Sequence, residues 1–231
     1  MKRVISHVVN LFYPNQCMIC HHLLVKHESF LCLYCLCELP KTNYHFNKAN
    51  PAHNLFAGYA QLKEVTSYLF FEQEGLTQTL VHALKYNDNK ALASWLGRAA
   101  AIELQAEGVY ASIDTILPIP LHPKKQKRRG YNQSEWIAKG FASVYGCTTD
   151  STQLRRITNT QSQTNKSIYD RHVNVENIFE LTNPQHLYGK HVLLIDDVIT
   201  TGATISSCID ALTAVPDLKI SIFSLAIARS F

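Results

Sequence analysis

"HVLLIDDVITTGAT", residues 191–204, runs an apolar stretch into two adjacent aspartates and then at once into Thr-Thr-Gly. The leading "HVLLID" is a continuous apolar run of the kind carried by a central parallel strand, which is buried on both faces. Adjacent carboxylates repel each other and gain nothing from such a strand, so Asp196 and Asp197 read as residues placed there for a ligand. In open α/β sheets, ligands sit beyond the carboxyl ends of the strands. Thr200, Thr201, Gly202, Ala203 and Thr204 read as a turn opening a helix whose apolar face carries Ile205, Cys208, Ile209 and Leu212. Backbone N–H groups of such a turn and of the helix start favour an anion, phosphate above all. Gly202 lets the backbone come close to that anion, and the threonine hydroxyls add donors. The two aspartates accept hydrogen bonds from vicinal hydroxyls or hold a hydrated Mg²⁺ through its water shell. A sugar phosphate satisfies both halves of the motif.

Outward from this stretch the chain alternates strands and helices. "IDTILPIP" reads as a strand stopped by Pro118 and Pro120, and "LKISIFSLAIA" as a last strand. Ile137, Phe141 and Val144 share one helical face, and two earlier helices carry Leu76, Leu80, Ala83 and Leu84, then Leu92, Trp95, Leu96 and Ala99. "LFAGYAQL" and "TSYLFFEQ" read as the two strands of a hairpin. The pattern predicts an α/β fold with a parallel sheet covered on both faces. No internal repeat or low-complexity tract interrupts it.

The 231 residues are 46% apolar and 17% charged, a globular composition, and no apolar run approaches the ~18–20 residues that span a bilayer. The opening "MKRVISHVVNLFYPNQ" reads as a short docking helix, with Val4, Val8, Leu11 and Phe12 on one face, in preference to a secretory signal. Net charge is only +4, but Lys124, Lys125, Lys127, Arg128 and Arg129 fall within one short segment. In that segment, "LHPKKQKRRGYN" reads as a basic loop leaving the first core strand. Arg128 and Arg129 suit a pyrophosphate group. Lys124 and Lys125 fit a solvated turn equally well. Gly130, Tyr131, Asn132 and Gln133 add an aromatic face and amides that suit a base or single-stranded nucleic acid.

Of seven cysteines, Cys17, Cys20, Cys32 and Cys35 form the spacing C-x2-C-x11-C-x2-C. Two such knuckles close a tetrahedral Zn²⁺ site and leave no open position for catalysis, so the expected zinc is structural. Cys37, His21 and His22 are substitute ligands. Paired thiolates without a secretion signal point to a reducing, cytoplasmic location. The expected domains are residues 1–54, with the N-terminal helix and zinc knuckle, and residues 55–231, with the sheet.

Residues 192–204 resemble the phosphoribosyl pyrophosphate fingerprint of type I phosphoribosyltransferases. "LPIPLHPKKQKRRGYNQS" (117–134), "TQSQTNKSIYDRHVNVENIF" (160–179), "HALKYNDNKALASWLG" (82–97) and the four-cysteine knuckle narrow the resemblance to the ComF/GntX family, over nearly the whole chain. Asn165 and Lys166 stand where that family commonly has Gly-Leu, and Asp170 where it has Glu. The resemblance implies a phosphoribosyltransferase-type sheet, with Asp196 and Asp197 on ribose hydroxyls and Thr200 to Thr204 around the 5-phosphate. It makes Gln161, Gln163, Arg171 and Asn174 candidate loop contacts. Mg²⁺ with phosphoribosyl pyrophosphate is the implied ligand, and single-stranded DNA and DNA-uptake proteins are the implied partners in natural transformation. Three uses of the site stay open: a phosphoribosyltransferase with an unknown acceptor, a nucleic-acid-handling module, and a ligand sensor.

Overall fold

A computed structural model describes residues 15–86, 89–157 and 178–229. The expected N-terminal docking helix, and the stretch bearing Gln161, Gln163, Arg171 and Asn174, lie outside the described residues.

The chain order is α1 (Leu33–Cys37), α2 (Pro51–Asn54), β1 (Leu62–Phe71), α3 (Leu76–Tyr86), α4 (Lys90–Ala106), β2 (Thr115–Pro118), α5 (Pro123–Arg129), α6 (Gln133–Tyr145), β3 (Thr148–Thr149), β4 (Leu154–Arg156), β5 (Phe179–Leu181), β6 (His191–Ile199), α7 (Ala203–Leu212) and β7 (Lys219–Ala228). Five strands form one sheet in the order β1-β7-β6-β2-β3, with every neighbouring pair parallel. β4 and β5 make a separate antiparallel ribbon.

The apolar run at the start of β6 has the burial expected of a central strand. Leu193 and Ile195 pack with α4 and α6 in one core, whereas Val192 and Leu194 pack with Ile205, Ile209 and Leu212 of α7 in another. Alternate side chains point to opposite faces, and both faces are covered, so no polar alternation survives in the sequence. The parallel α/β expectation therefore holds.

The hairpin at residues 55–73 does not form. Residues 55–61 are turns, and a single ten-residue strand, β1, pairs in parallel with β7 from the far end of the chain. Phe56, counted as a strand residue, is fully buried in the second core. Val65 to Leu69 are buried in succession, so this strand too lacks the alternation that would have shown its partner. Its outer edge is covered: Phe70 N–H donates to Pro40 O at 2.7 Å, Thr42 N–H donates to Tyr68 O at 3.0 Å, and the Asn50 amide donates to Val65 O at 2.9 Å.

The basic segment is also not a loop. Pro123 to Arg129 form helix α5, with His122 as N-cap, Pro123 in its first turn and Gly130 at φ 81° closing it. Proline at the start and glycine at the end are helix signals that the density of charge masked.

Candidate functional site

β6 runs past Asp196 and Asp197 to Ile199, so the acids lie three and two residues before the end of the strand and not at its end. Beyond Ile199, Thr200 and Thr201 turn the chain, and Gly202, at φ 78°, starts α7. A side chain at Gly202 is excluded twice over, because its φ lies in the left-handed region and a Cβ would stand 3.0 Å from Cε1 and Cζ of Phe56. The Phe56 ring thus lies directly against the turn. Ser206 N–H donates to Gly202 O at 2.9 Å, the first bond of α7, Ala203 N–H donates to Thr201 Oγ1 at 3.5 Å, and a small cleft opens beside the turn. Asp196 and residues 198–205 line this cleft, whose volume is about 30 Å³.

The two acids have distinct surroundings. Asp196 Oδ1 accepts from the Ser134 hydroxyl at 3.1 Å and from the Asp197 N–H at 2.8 Å. Asp197 Oδ1 accepts from the Val198 N–H at 2.8 Å, and its Oδ2 lies 3.8 Å from Lys85 Nζ. Burial, reinforced by the neighbouring Asp197 charge, pushes the Asp196 carboxyl up to about 7, against the pull of the Asp197 N–H, Ser134 and Lys85. Ser134, at the start of α6, and Lys85, near the end of α3, were not singled out as site residues from sequence. Nothing local to either position signals that its helix end points at β6.

That raised carboxyl gives a stability prediction. In an unfolded chain it titrates at 3.8. Below that pH it is neutral in both states and costs nothing. Between there and about 7 the unfolded chain ionises more readily, so the cost of folding grows. It is fully present above. Asp196→Asn removes the charge and keeps an oxygen able to accept from Ser134. Allowing for coupling with Asp197, we expect the variant to be more stable at pH 8 by about 1–2 kcal/mol, seen as roughly 3–6 °C in Tm. The gain should shrink as the pH falls to 5, and equal shifts at both pH values would contradict it.

The "RGYNQ" segment divides in two. Arg128 and Arg129, with Lys85 and Tyr86, line a cavity of about 200 Å³. Arg129 Nη1 donates to Gln133 Oε1 at 2.9 Å, and its buried Nε has no hydrogen-bond partner among the described residues. The Lys125 ammonium is held below its ordinary range by burial and by the nearby charges of Arg156, Arg129, Arg128 and Lys85.

Tyr131, Asn132 and Gln133 instead point inward, which corrects the expectation of an aromatic and amide surface there. Tyr131 is 3% exposed and donates its hydroxyl proton to Leu84 O at 2.6 Å. Asn132 caps α6 and donates to Ile119 O at 3.0 Å, and Gln133 donates to Leu84 O at 3.2 Å. Polar side chains that satisfy buried carbonyls are structural, and their sequence pattern is the same as that of a binding loop.

At the other end of the chain, the sulfur atoms of Cys17, Cys20, Cys32 and Cys35 all lie within 4.8 Å of one another, and those of Cys20 and Cys32 are 3.6 Å apart. Tetrahedral zinc with four thiolates requires sulfur–sulfur edges of about 3.8 Å, so the cluster fits the ion. Burial opposes ionisation of Cys17, yet N–H groups of Cys20, Cys32 and Ile19 outweigh it and pull the thiol down to about 6. Burial and the adjacent thiols push Cys35 the other way. Without a cation the four cannot ionise together, whereas a divalent ion would hold all four as thiolates. Glu28 braces the knuckle, accepting from the N–H groups of Val25 at 2.9 Å and Leu33 at 2.7 Å, which together hold its carboxyl below the usual range.

Comparison with known proteins adds ancestry to this geometry. Over 131 residues the chain is 34% identical to the DNA utilization protein YhgH of Salmonella typhimurium, covering 55% of this chain and 56% of that protein. Over 114 residues it is 31% identical to competence protein F of Haemophilus influenzae, covering 49% and 50%. The chain is similar to both, and the match spans about half the length of those curated relatives. No protein-family model matches the chain. Among solved structures it is similar to glutamine phosphoribosylpyrophosphate amidotransferase from B. subtilis, at 16% identity and TM-score 0.40, covering 62% of this chain and 30% of that one. It is also similar to UMP synthase of Leishmania donovani, at 16% identity and TM-score 0.36, covering 64% and 24%.

Proposed function

We propose that this protein binds a phosphoribosyl ligand, phosphoribosyl pyrophosphate with Mg²⁺, at the β6–α7 turn, and handles incoming single-stranded DNA in natural transformation. The observation that carries the reading is the left-handed Gly202 turn, which opens α7 beside a cleft shared with Asp196. In this reading Thr200 to Thr204 hold the 5-phosphate, and Asp196 and Asp197 accept from the ribose diol. Arg128 and Arg129 receive the polyphosphate end, where Mg²⁺ supplies further neutralising charge. Gln161, Gln163, Arg171 and Asn174 are proposed loop contacts. Cys17, Cys20, Cys32 and Cys35 hold a structural zinc in an N-terminal unit of residues 1–54, with residues 55–231 as the ligand-binding unit. DNA handling is supported by the two relatives, one named a DNA utilization protein and the other a competence protein, and by the proximity of the cations Lys125, Arg128, Arg129 and Arg156. A cytoplasmic site of action is proposed on the four-cysteine cluster, whose sulfur atoms lie together as a metal site requires.

A second reading, turnover as a phosphoribosyltransferase, is favoured by one further feature. A cleft of about 660 Å³, lined by Phe71, Gln73, Ala228 and Arg229, also includes Thr200 of the phosphate turn. That volume suits a small acceptor. Calorimetric titration of phosphoribosyl pyrophosphate with Mg²⁺ into the zinc-loaded protein tests the shared site. We expect wild type to bind and Asp196→Asn/Asp197→Asn to lose at least ~100-fold, as expected when hydrogen-bonded charged contacts are removed. An unaltered titration in the double variant, or no binding by wild type, would overturn the assignment. Release of pyrophosphate on adding a nucleobase would then separate enzyme from binder.

A further inference from the structure

The aromatic surface that Tyr131 does not provide is found on α3. Tyr86 is 62% exposed, and its ring rests on that of His82, one helical turn earlier, with centroids 4.5 Å apart and planes tilted by 38°. A singly exposed tyrosine is ordinary on a protein surface. This one forms part of the wall of the cavity that also holds Lys85, Arg128 and Arg129. The site is rich in cations: Lys85 has Asp197 at 3.8 Å, and Lys125 is held below its ordinary range by burial and by the like charges of Arg156, Arg129, Arg128 and Lys85. The buried Arg129 Nε, without a hydrogen-bond partner among the described residues, adds a donor in want of an acceptor. An anion flanked by a flat π-face meets all of these needs at once, and a nucleotide has that form.

Resting on the DNA-handling reading above, we propose that Tyr86, supported by His82, is a base-stacking platform for single-stranded DNA, with the adjoining phosphate held among Lys85, Arg128 and Arg129. Paired bases in a duplex already stack on their neighbours, so only an unpaired base presents a face to an aromatic side chain. Stacking is tolerant of base identity, so the platform confers strand-state preference and little sequence preference. The phosphate contact makes binding fall with salt.

Fluorescence anisotropy with a labelled oligothymidylate tests this on the full zinc-loaded chain. Tyr86 is exposed, so its replacement should leave the fold intact. Tyr86→Ala is expected to weaken binding roughly ten-fold with an unchanged salt dependence, and Tyr86→Trp to retain it. Arg128→Ala is expected instead to lower the salt slope by about one phosphate contact. With an oligonucleotide whose bases are removed, wild type and Tyr86→Ala should bind equally. Wild-type binding that Tyr86→Ala shares in full would overturn the platform and leave DNA handling standing. No binding by wild type would overturn both. A parallel loss of phosphoribosyl pyrophosphate binding in Tyr86→Ala would assign the ring to the sugar-phosphate site and overturn the proposal.

Discussion

Chelating zinc from the knuckle is expected to destabilise far more of the protein than the segment that holds the ion. Cys17, Leu31, Cys35 and Leu39 belong to the same buried cluster as Leu92, Leu96 and Leu104 of α4, and the Phe30 ring packs on that of Trp95 with centroids 5.7 Å apart. A stretch this short and rich in small turns has little apolar surface of its own, so a bound metal would supply its folding energy. In isolated zinc-finger peptides that energy is ~10–16 kcal/mol at pH 7. Here the sheet is expected to persist without it, so that only the loss transmitted through α4 reaches the global transition. We expect at least ~3 kcal/mol, or a fall in Tm of roughly 6–12 °C for a chain of this size. Cys35→Ser should behave like the chelated protein, and Cys37→Ser like wild type, since Cys37 is exposed and outside the four-sulfur cluster. Elemental analysis should give one zinc per chain. An unchanged melt on metal removal would refute the structural role.

Gly140→Ala is the substitution expected to damage the fold most for its size. Helices α4 and α6 cross at Gly97 and Gly140. A Cβ on Gly140 would stand 1.9 Å from the Ser94 carbonyl oxygen, and one on Gly97 would stand 2.1 Å from that of Ile137. Both obstacles are backbone atoms of the facing helix, which cannot swing aside as a side chain end can. The helices must separate, and packing along their shared face is lost. Overpacking in a core usually costs ~1–3 kcal/mol, and a clash with backbone belongs at or above the top of that range. Gly58→Ala, where a Cβ would meet nothing within 4 Å, should be close to neutral. Denaturant melts of the two variants provide the comparison, and similar midpoints would show that the helices adjust freely. The consequence reaches the site as well. α6 carries Ser134, which donates to Asp196, so a displaced α6 should weaken ligand binding even where Gly140→Ala remains folded.

Sequence alone was enough wherever the signal and its cause lie close together along the chain. The strand–turn–helix at residues 191–212 was legible because its apolar run, its acids and its glycine act on immediate neighbours, and Gly202 does adopt the left-handed φ that such a turn requires. The four cysteines were legible for the same reason, since paired spacing puts two sulfurs on each short knuckle before any tertiary contact forms. The helices α3, α4, α6 and α7 showed their buried faces through their periodicity.

Tertiary structure alone decided what rests on contacts between distant segments. Two strands buried on both faces carry no alternation to name their partners, so β1 looked like half of a hairpin until β7 was seen beside it. Tyr131 and Tyr86 are both tyrosines beside basic residues, yet the first satisfies a buried carbonyl and the second faces solvent. Which does which depends on where α3 and α6 come to rest against the sheet. Ser134 and Lys85 reach the two aspartates for the same reason, brought there by helices whose own sequences record only which side is apolar.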